Sequence, residues 1–279
     1  MADNALGGFV RARRESITPA QAGLPTGSRR RTPGLRRGEL AELAGISVEY
    51  LTRLERGRDR HPSGQVLGAL ADALQLSADE RVHLYRLVKA GTSGTCAQAS
   101  APPEPLRPTL RALLDRLEPS PALIVNAAGD VLAYTVGYRQ LVAPVGLLDD
   151  NNPNIVRYAF TNPRARTVFR DWDRIADDRA ASIRSAADLG NYAAAFLAEE
   201  LSITVGAEFT RRFASSGALP SPTGTERWSH PTAGNLTLAF ESLHPASPED
   251  RRLIAYLPAD TTTAEALTTL TAQVTLSRA

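Results

Sequence analysis

Apolar residues recur at three- and four-residue spacing through the first 91 residues, which is the pattern of amphipathic helices. Serines that can cap a helix and glycines that can end one separate the apolar runs. Five helices are predicted: Phe9 to Ser16, about Leu35 to Gly45, one capped by Ser47 and stopped at Gly57, one capped by Ser63, and one opened by the capping box Ser77 to Glu80. Residues 1–91 are therefore predicted to form an all-α domain.

The pattern changes after residue 91. Residues 92–105 are small, polar and proline-bearing, as in a linker. Beyond them, 106–279 is predicted to be an α+β domain around one antiparallel sheet. The predicted helices cover 106–117, 136–143, 153–160, 163–188, 190–203 and 263–274, and the predicted strands cover 122–125, 131–134, 225–229, 235–243 and 252–257.

Gly45 interrupts a run of good helix formers in the stretch LRRGELAELAGISVEYLTRLERGR, residues 35–58. A glycine can adopt the left-handed conformation that turns the chain sharply, and Ala41 is small enough to let the next helix approach. Leu51 and Leu54 would then close a small core with Leu40. This spacing predicts a helix-turn-helix whose second helix exposes its other face.

The charge distribution agrees with a nucleic-acid partner for this region. Residues 11–61 hold 12 arginines and six acidic residues, a formal charge of +6, whereas the rest of the chain carries −4. Arginine binds phosphates and guanine edges with two parallel hydrogen bonds. Charge alone leaves a general arginine bias open, but together with the helix-turn-helix pattern it favours double-stranded DNA.

The exposed face of the second helix is predicted to read base edges in the major groove, and the arginines around it to bind phosphates. The predicted base-reading residues are Ser47, Val48, Glu49, Tyr50, Thr52 and Arg53; the predicted phosphate-binding residues are Arg36, Arg37, Arg56, Arg58 and Arg60.

Residues 31–88, RTPGLRRGELAELAGISVEYLTRLERGRDRHPSGQVLGALADALQLSADERVHLYRLV, closely resemble the xenobiotic-response-element (XRE) family of helix-turn-helix regulators. The segments LRPTLRALLDRL, PALIVNAAGDVLAYT, FTNPRARTVFRDWD and HPTAGNLTLAFESL resemble the MmyB-like ligand-binding domain that often accompanies this head. The resemblance covers about residues 9–270. It implies a lambda-repressor-like head, a PAS-like sensor domain and a fatty-acid-like ligand.

Most aromatic residues lie in the second domain, where they can fill a core or line a pocket for an apolar ligand. The predicted ligand-binding residues are Tyr134, Tyr138, Arg157, Phe160, Phe169, Trp172 and Phe240. Arg157 is a candidate partner for a carboxylate, although an arginine at this spacing more often faces solvent.

The sequence gives little support for a metal site, a cofactor or catalysis. Cys96 lies in the predicted linker, and the four histidines lack metal-ligand spacing, so no metal site or cofactor is expected. The sequence from His230 to Gly234 is read as a hairpin turn, and paired aspartates such as Asp149 and Asp150 as solvated surface. With no phosphate loop or nucleophile elbow, an enzyme is not expected.

The sequence therefore predicts a cytoplasmic transcription regulator, because no leader or membrane span is recognisable and a single cysteine suits a reducing compartment. A homodimer on an inverted or direct repeat is expected, since one head offers one half-site. RNA polymerase is a further candidate partner. Two alternatives stay open: a protein-docking module without ligand sensing, and an enzyme fused to a DNA-binding head.

Overall fold

Five helices form the described part of the first 91 residues: α1 (Ala5–Ser16), α2 (Arg37–Leu43), α3 (Val48–Glu55), α4 (Gly64–Ala73) and α5 (Ala78–Gly91). They are seen in a computed structural model that describes residues 4–25, 32–59, 62–91, 106–215, 219–245 and 250–276. The predicted caps are confirmed: Ser47 Oγ accepts the amide hydrogen of Tyr50 at 3.1 Å, and Ser77 and Glu80 form a reciprocal capping box.

Gly45 makes the predicted turn between α2 and α3. Its φ is +64°, and the amide of Ile46 donates to the carbonyl of Ala41 at 2.9 Å. Leu40, Leu51 and Leu54 are completely buried. The turn therefore places α3 across α2 with its apolar face against the core, and the predicted helix-turn-helix is confirmed.

A buried ion cluster ties α3 to the two helices before it. Glu55, at the end of α3, lies 2.6 Å from Nε of Arg14 on α1 and 2.6 Å from Nε of Arg37 on α2. Arg14 also donates to the carbonyl of Leu35 at 2.8 Å. Glu55 and Arg14 are both buried, so their charges are compensated within the core.

The chain forms two compact units, and the first is not confined to the N-terminal sequence. Unit 1 combines the described parts of Met1–Pro102 with Ala198–Arg211; unit 2 combines those of Pro103–Leu197 with Arg212–Ala279. The predicted linker, 92–105, lies outside the described residues. The division passes through α11 (Tyr192–Thr204), whose first turns belong to unit 2 and whose last turns belong to unit 1.

The end of α11 packs closely against α4. Ile203 is completely buried in the apolar core of unit 1. A Cβ at Gly68 would lie 2.5 Å from the carbonyl oxygen of Ser202, and one at Gly64 would lie 2.8 Å from Cγ of Glu199. Because both positions on α4 are glycines, the backbone of α11 can approach α4 more closely than side chains would allow.

Polar contacts continue this packing beyond α11. One carboxylate oxygen of Asp72 accepts the amide hydrogen of Ala207, at the start of α12 (Ala207–Phe213), at 3.1 Å. The other accepts from Arg81 at 2.5 Å, and Arg81 also donates to the carbonyl of Ile203 at 3.4 Å. Residues 198–211 are thus part of unit 1 by both apolar and polar contacts.

Unit 2 is built on one sheet. Its strands among the described residues are β1 (Ala122–Val125), β2 (Val131–Tyr134), β3 (Thr223–His230), β4 (Gly234–Leu243) and β5 (Arg252–Pro258). They pair antiparallel in the order β2-β1-β5-β4-β3. Its remaining helices are α6 (Pro108–Asp115), α7 (Val136–Val142), α8 (Ile155–Thr161), α9 (Pro163–Val168), α10 (Trp172–Asp188) and α13 (Thr261–Leu276). The predicted α+β architecture is confirmed.

The two faces of the sheet differ in chemistry. Leu253 packs with Ile124 and with Leu110 and Leu114 of α6, which defines the α6 face. Side chains alternate along a strand, so Arg252, Ile254 and Tyr256 lie on the opposite face, and their register partners place Ser242 and Phe240 beside them. We call this opposite face the inner face.

The sequence-based prediction of elements was wrong in two places. The single helix predicted over 163–188 is interrupted between α9 and α10, because Phe169 is extended and forms a bridge with Trp228 of β3. Helix α12 was not predicted at all. The remaining predicted elements are found with ends shifted by up to four residues, the largest shift being the earlier start of α1. No helix in the described ranges is both long and apolar enough to cross a membrane.

Replacing Glu55 by Gln should destabilise unit 1 by about 3 kcal/mol, because the buried Arg14 would lose its buried carboxylate partner and keep only the half-exposed Glu15. Urea unfolding followed by far-UV circular dichroism measures the loss. Both tryptophans, Trp172 and Trp228, lie in unit 2, so their fluorescence follows that unit separately.

Glu15→Gln is the matched control. Glu15 also contacts Arg14, at 3.1 Å, but its side chain is half exposed and screened by water. Its replacement should leave the unfolding curve nearly unchanged, and equal curves for the two variants would show that the buried cluster does not stabilise unit 1.

Candidate DNA-binding surface and ligand-binding interior

The N-terminal half of α3 presents a continuous exposed surface. Ser47, Val48 and Glu49 are exposed, and Val48 retains 42% of its accessible surface although it is apolar. Thr52 is half-buried and donates its hydroxyl hydrogen to the carbonyl of Val48 at 2.8 Å. The helix therefore offers hydroxyl, methyl and carboxylate groups on one side, which are the groups that distinguish base edges.

Arg53 is held on the same surface by two weak contacts. Its Nη2 lies 3.7 Å from a carboxylate oxygen of Asp59, and its guanidinium carbon lies 5.5 Å from the ring centre of Tyr50. Burial raises the pKa of Tyr50, with Asp59 acting in the same direction. Its phenol is thus neutral, and Arg53 is the cationic group of this face.

The flanking arginines divide into two kinds. Arg36, Arg56 and Arg58 are exposed, as binding to phosphates requires. Arg37 is only half exposed, and its Nε donates to Glu55. Arg60 lies outside the described residues. Sequence reasoning assigned Arg37 to phosphates alone and missed its second partner, because Glu55 follows it by 18 residues.

The structure brings four of the predicted aromatic side chains of unit 2 into one chain of ring contacts. Ring centres are 6.3 Å apart between Tyr134 and Tyr138, and between Phe240 and Tyr256. Tyr256 also contacts Tyr138 and Trp228, and Trp228 contacts Phe169 at 5.2 Å. Tyr256 and Trp228 thus connect the predicted rings.

Phe160 and Trp172 also contact each other, with ring centres 6.1 Å apart. The indole of Trp172 donates to the carbonyl of Ala159 at 2.8 Å, and Arg166 lies 3.8 Å above its ring. Arg157, the predicted carboxylate partner, is half-buried on α8. The predicted ligand residues therefore occupy more than one place in unit 2.

Charged residues lie unexpectedly within this aromatic interior. Arg179 of α10 donates to Glu226 of β3 at 3.0 Å, and the other oxygen of Glu226 accepts from Trp228 at 2.9 Å. Burial raises the pKa of Tyr138 well above its usual value, and that of Tyr256 too. Both phenols are therefore neutral.

Sequence reasoning missed this pair, although a signal was present. Arg179 lies midway between Ile175 and Ile183, four residues from each, and so on the buried stripe of α10. Glu226 precedes Trp228 by two residues on β3, which places both on the same face. A charge at an apolar position on each element could have indicated a buried pair.

A cavity of about 570 Å³ opens beside the β3–β4 hairpin. It is lined by Pro144, Val145, Arg164, Thr167, Val168, Ser229, His230, Pro231, Gly234 and Asn235. None of the seven predicted ligand residues is among them. Its volume is within the range of small-molecule pockets.

His230 is the buried polar group of this cavity. Nε2 donates to the carbonyl of Leu141 at 2.9 Å, and Nδ1 accepts the amide hydrogen of Ala233 at 3.0 Å. Burial lowers the pKa of His230. The predicted hairpin turn is confirmed, because His230 pairs with Gly234 in the strand register. No metal-binding group of three or more His, Cys, Asp or Glu occurs among the described residues, and Cys96 lies outside them.

Two protein families match the chain. The MmyB-like transcription regulator ligand binding domain matches residues 106–270, and a helix-turn-helix domain matches residues 5–84. No curated protein sequence is significantly similar to the chain. The first match covers more than half of the 279 residues, and both agree with the fold of the region they cover. The chain belongs to the MmyB-like transcription regulators, with a helix-turn-helix head and a ligand-binding domain.

Proposed function

We propose that this regulator reads a specific operator through α3 and that an apolar, fatty-acid-like molecule bound in unit 2 changes its affinity for DNA. The observation that carries the proposal is the exposed start of α3, presented directly after the turn at Gly45. A helix held in this way fits the major groove with its first residues towards the bases.

Each exposed group of α3 has a suitable partner in the groove. Arg53 can bind the O6 and N7 atoms of guanine, Glu49 can accept from the amino group of cytosine, and the methyl groups of Val48 can contact a thymine methyl. Ser47 and Thr52 supply hydroxyls, and Tyr50 supports Arg53. Arg36, Arg56, Arg58 and Arg60 bind phosphates in this proposal, with Arg37 contributing beside its bond to Glu55.

One head reads one half-site of DNA. We therefore propose a homodimer bound to two half-sites, arranged as an inverted or a direct repeat.

The proposed ligand binds in the aromatic interior of unit 2. Tyr138, Phe169 and Phe240 are connected through Tyr256 and Trp228, and a molecule with an apolar body would replace ring-to-ring packing by ring-to-ligand packing. Tyr134 lies at the exposed end of this series, with 37% of its surface accessible. Arg157, Phe160 and Trp172 remain candidates through their place on α8 and α10.

Ligand binding can control DNA affinity only if it favours one arrangement of the head over another. Helix α11 offers a route, because it starts in unit 2 and ends in the core of unit 1 at Ile203. A movement of α11 would press on α4 at Gly64 and Gly68. A coupling of about 1–3 kcal/mol would give 5- to 150-fold control.

Arg53→Ala should lower affinity for the operator by about 5- to 150-fold, and affinity for random duplex much less, because one base contact is lost. Fluorescence anisotropy on an operator selected from a random duplex pool measures both. Arg111→Ala is a matched control, since Arg111 is as exposed as Arg53 (54% and 53%) but lies on α6. Equal losses on both duplexes would favour the alternative of a protein-docking head.

Arg36→Ala should weaken binding to all sequences alike and reduce the slope of log affinity against log salt by about 1, because one phosphate contact disappears. Arg36 is preferred to Arg37 here, since removing Arg37 would also disturb Glu55. The measurement is a salt series from 50 to about 300 mM on operator and random duplex. An unchanged slope would exclude Arg36 from the phosphate contacts.

Gly68→Ala should remove the effect of ligand binding on DNA affinity. The new Cβ would collide with the carbonyl of Ser202 and displace α11 from α4. Decanoate would still bind the variant, but the ratio of DNA affinities with and without decanoate should fall towards 1. Gly8→Ala is the matched control: Gly8 is also in a helix, and a Cβ there meets nothing within 4 Å. A full response in Gly68→Ala would exclude this route.

A further inference from the structure

The inner face of unit 2 carries two buried polar groups that the fold leaves without hydrogen bonds. Nη2 of Arg252 and Oγ of Ser242 are inaccessible to water, and neither has a partner among the described residues. Arg252 keeps 8% of its surface and Ser242 keeps 9%. Buried polar groups are almost always hydrogen-bonded, so two such groups together indicate a missing partner.

The strand register places the two groups side by side. Ser242 of β4 lies opposite Ile254 of β5, and Arg252 is two residues before Ile254 on the same face. A side chain and its diagonal neighbour across antiparallel strands are about 7–8 Å apart at Cα, within reach of a long arginine. One ligand group can therefore contact both.

The surrounding charges favour an anion. Arg179 is buried on α10 and acts on Arg252 as a second cation, whereas its partner Glu226 is already bonded to Arg179 and Trp228. Asp178 is 3.9 Å from Arg179 and accepts the amide hydrogen of Ser221. Asp250 also acts on Arg252. Burial lowers the pKa of Arg252 to about 10, in the direction expected of a cation short of counter-charge.

We propose that the Arg252 guanidinium and the Ser242 hydroxyl bind the carboxylate of an organic acid whose apolar body lies against Ile254, Phe240 and Tyr256. A carboxylate can accept a hydrogen bond from Nη2 of Arg252 and another from the hydroxyl of Ser242, so it supplies the partner that both atoms lack. A neutral alcohol or amide cannot balance the charge. This inference rests on the proposed ligand-sensing function and assigns its acid-binding group, for which the sequence offered Arg157 instead.

The test is calorimetric titration of the full-length protein, freed of bound lipid, with decanoate, 1-decanol and acetate. Decanoate should bind at least ten times more tightly than decanol, which has the same chain without the charge. Weak binding of acetate relative to decanoate identifies a lipid-like acid, whereas equal binding would identify a small free carboxylate and contradict the contacts proposed for the apolar body.

Arg252→Met should weaken decanoate binding at least ten-fold and leave decanol binding within about two-fold, since an arginine bond to a charged group is lost. Arg252→Lys should recover part of the affinity. Arg251→Met is the control: Arg251 is equally buried and adjacent in sequence, but it lies outside β5. Unchanged decanoate affinity in Arg252→Met would overturn the proposal.

Ser242→Ala provides a second test of the proposal if Arg252→Met does not fold. Removing an unpartnered hydroxyl should not lower the melting temperature of the ligand-free protein, while decanoate affinity should fall about three- to ten-fold. The carbon-13 signal of carboxyl-labelled decanoate should titrate at a lower pH in the complex than in water, because a cation beside it favours the charged form. A normal titration would overturn the proposal.

The outcomes separate this inference from the function on which it rests. If decanol binds as tightly as decanoate and changes DNA affinity, the acid-binding group is refuted and ligand control stands. If decanoate binds through Arg252 but leaves DNA affinity unchanged, the acid-binding group stands and control by this class of ligand is refuted.

Discussion

The orientation of α3, the helix proposed to read DNA, depends on one buried carboxylate. Glu55 closes the last turn of α3 and receives hydrogen bonds from α1 and α2 through Arg14 and Arg37. Gly45 allows the chain to turn, but a turn alone does not fix the angle between two helices. Since an unpaired buried charge is costly, α3 is restricted to positions in which Glu55 keeps both arginines. The exposed groups of α3 are therefore also fixed in position, as binding in the regular major groove of DNA requires.

Unit 2 also contains a buried arginine–glutamate pair, but the number of arginines and carboxylates around it differs. Arg179 and Glu226, 47 residues apart, join α10 to the sheet, as Arg14 and Glu55, 41 residues apart, join α1 to α3. In unit 1 a single carboxylate is shared by two arginines and one of these is partly open to water. In unit 2 a second arginine, Arg252, is buried and keeps an unused donor. The unmet donor of Arg252 suits a domain that must respond to a molecule from outside.

Features fixed by neighbouring residues could be predicted from the sequence. The turn at Gly45, the caps at Ser47 and Ser77, and the hairpin ending at Gly234 each depend on a few adjacent side chains and appear as expected. Features fixed by distant residues could not. The break at Phe169 needs its bridge to Trp228, and the second role of Arg37 needs Glu55. The pairing of Arg252 with Ser242 on one face needs the strand register, which a sequence pattern does not supply.

The packing of α11 on α4 has a consequence for how the protein is made. The core of unit 1 includes Ile203, more than a hundred residues downstream of the helices that it completes. While the chain is being synthesised, α1 to α5 can assemble, but the groove beside Gly64 and Gly68 stays uncovered until most of unit 2 has left the ribosome. The complete core of unit 1 therefore arises only in a molecule that already carries much of unit 2, and a nascent or truncated chain that ends before Ile203 lacks part of that core.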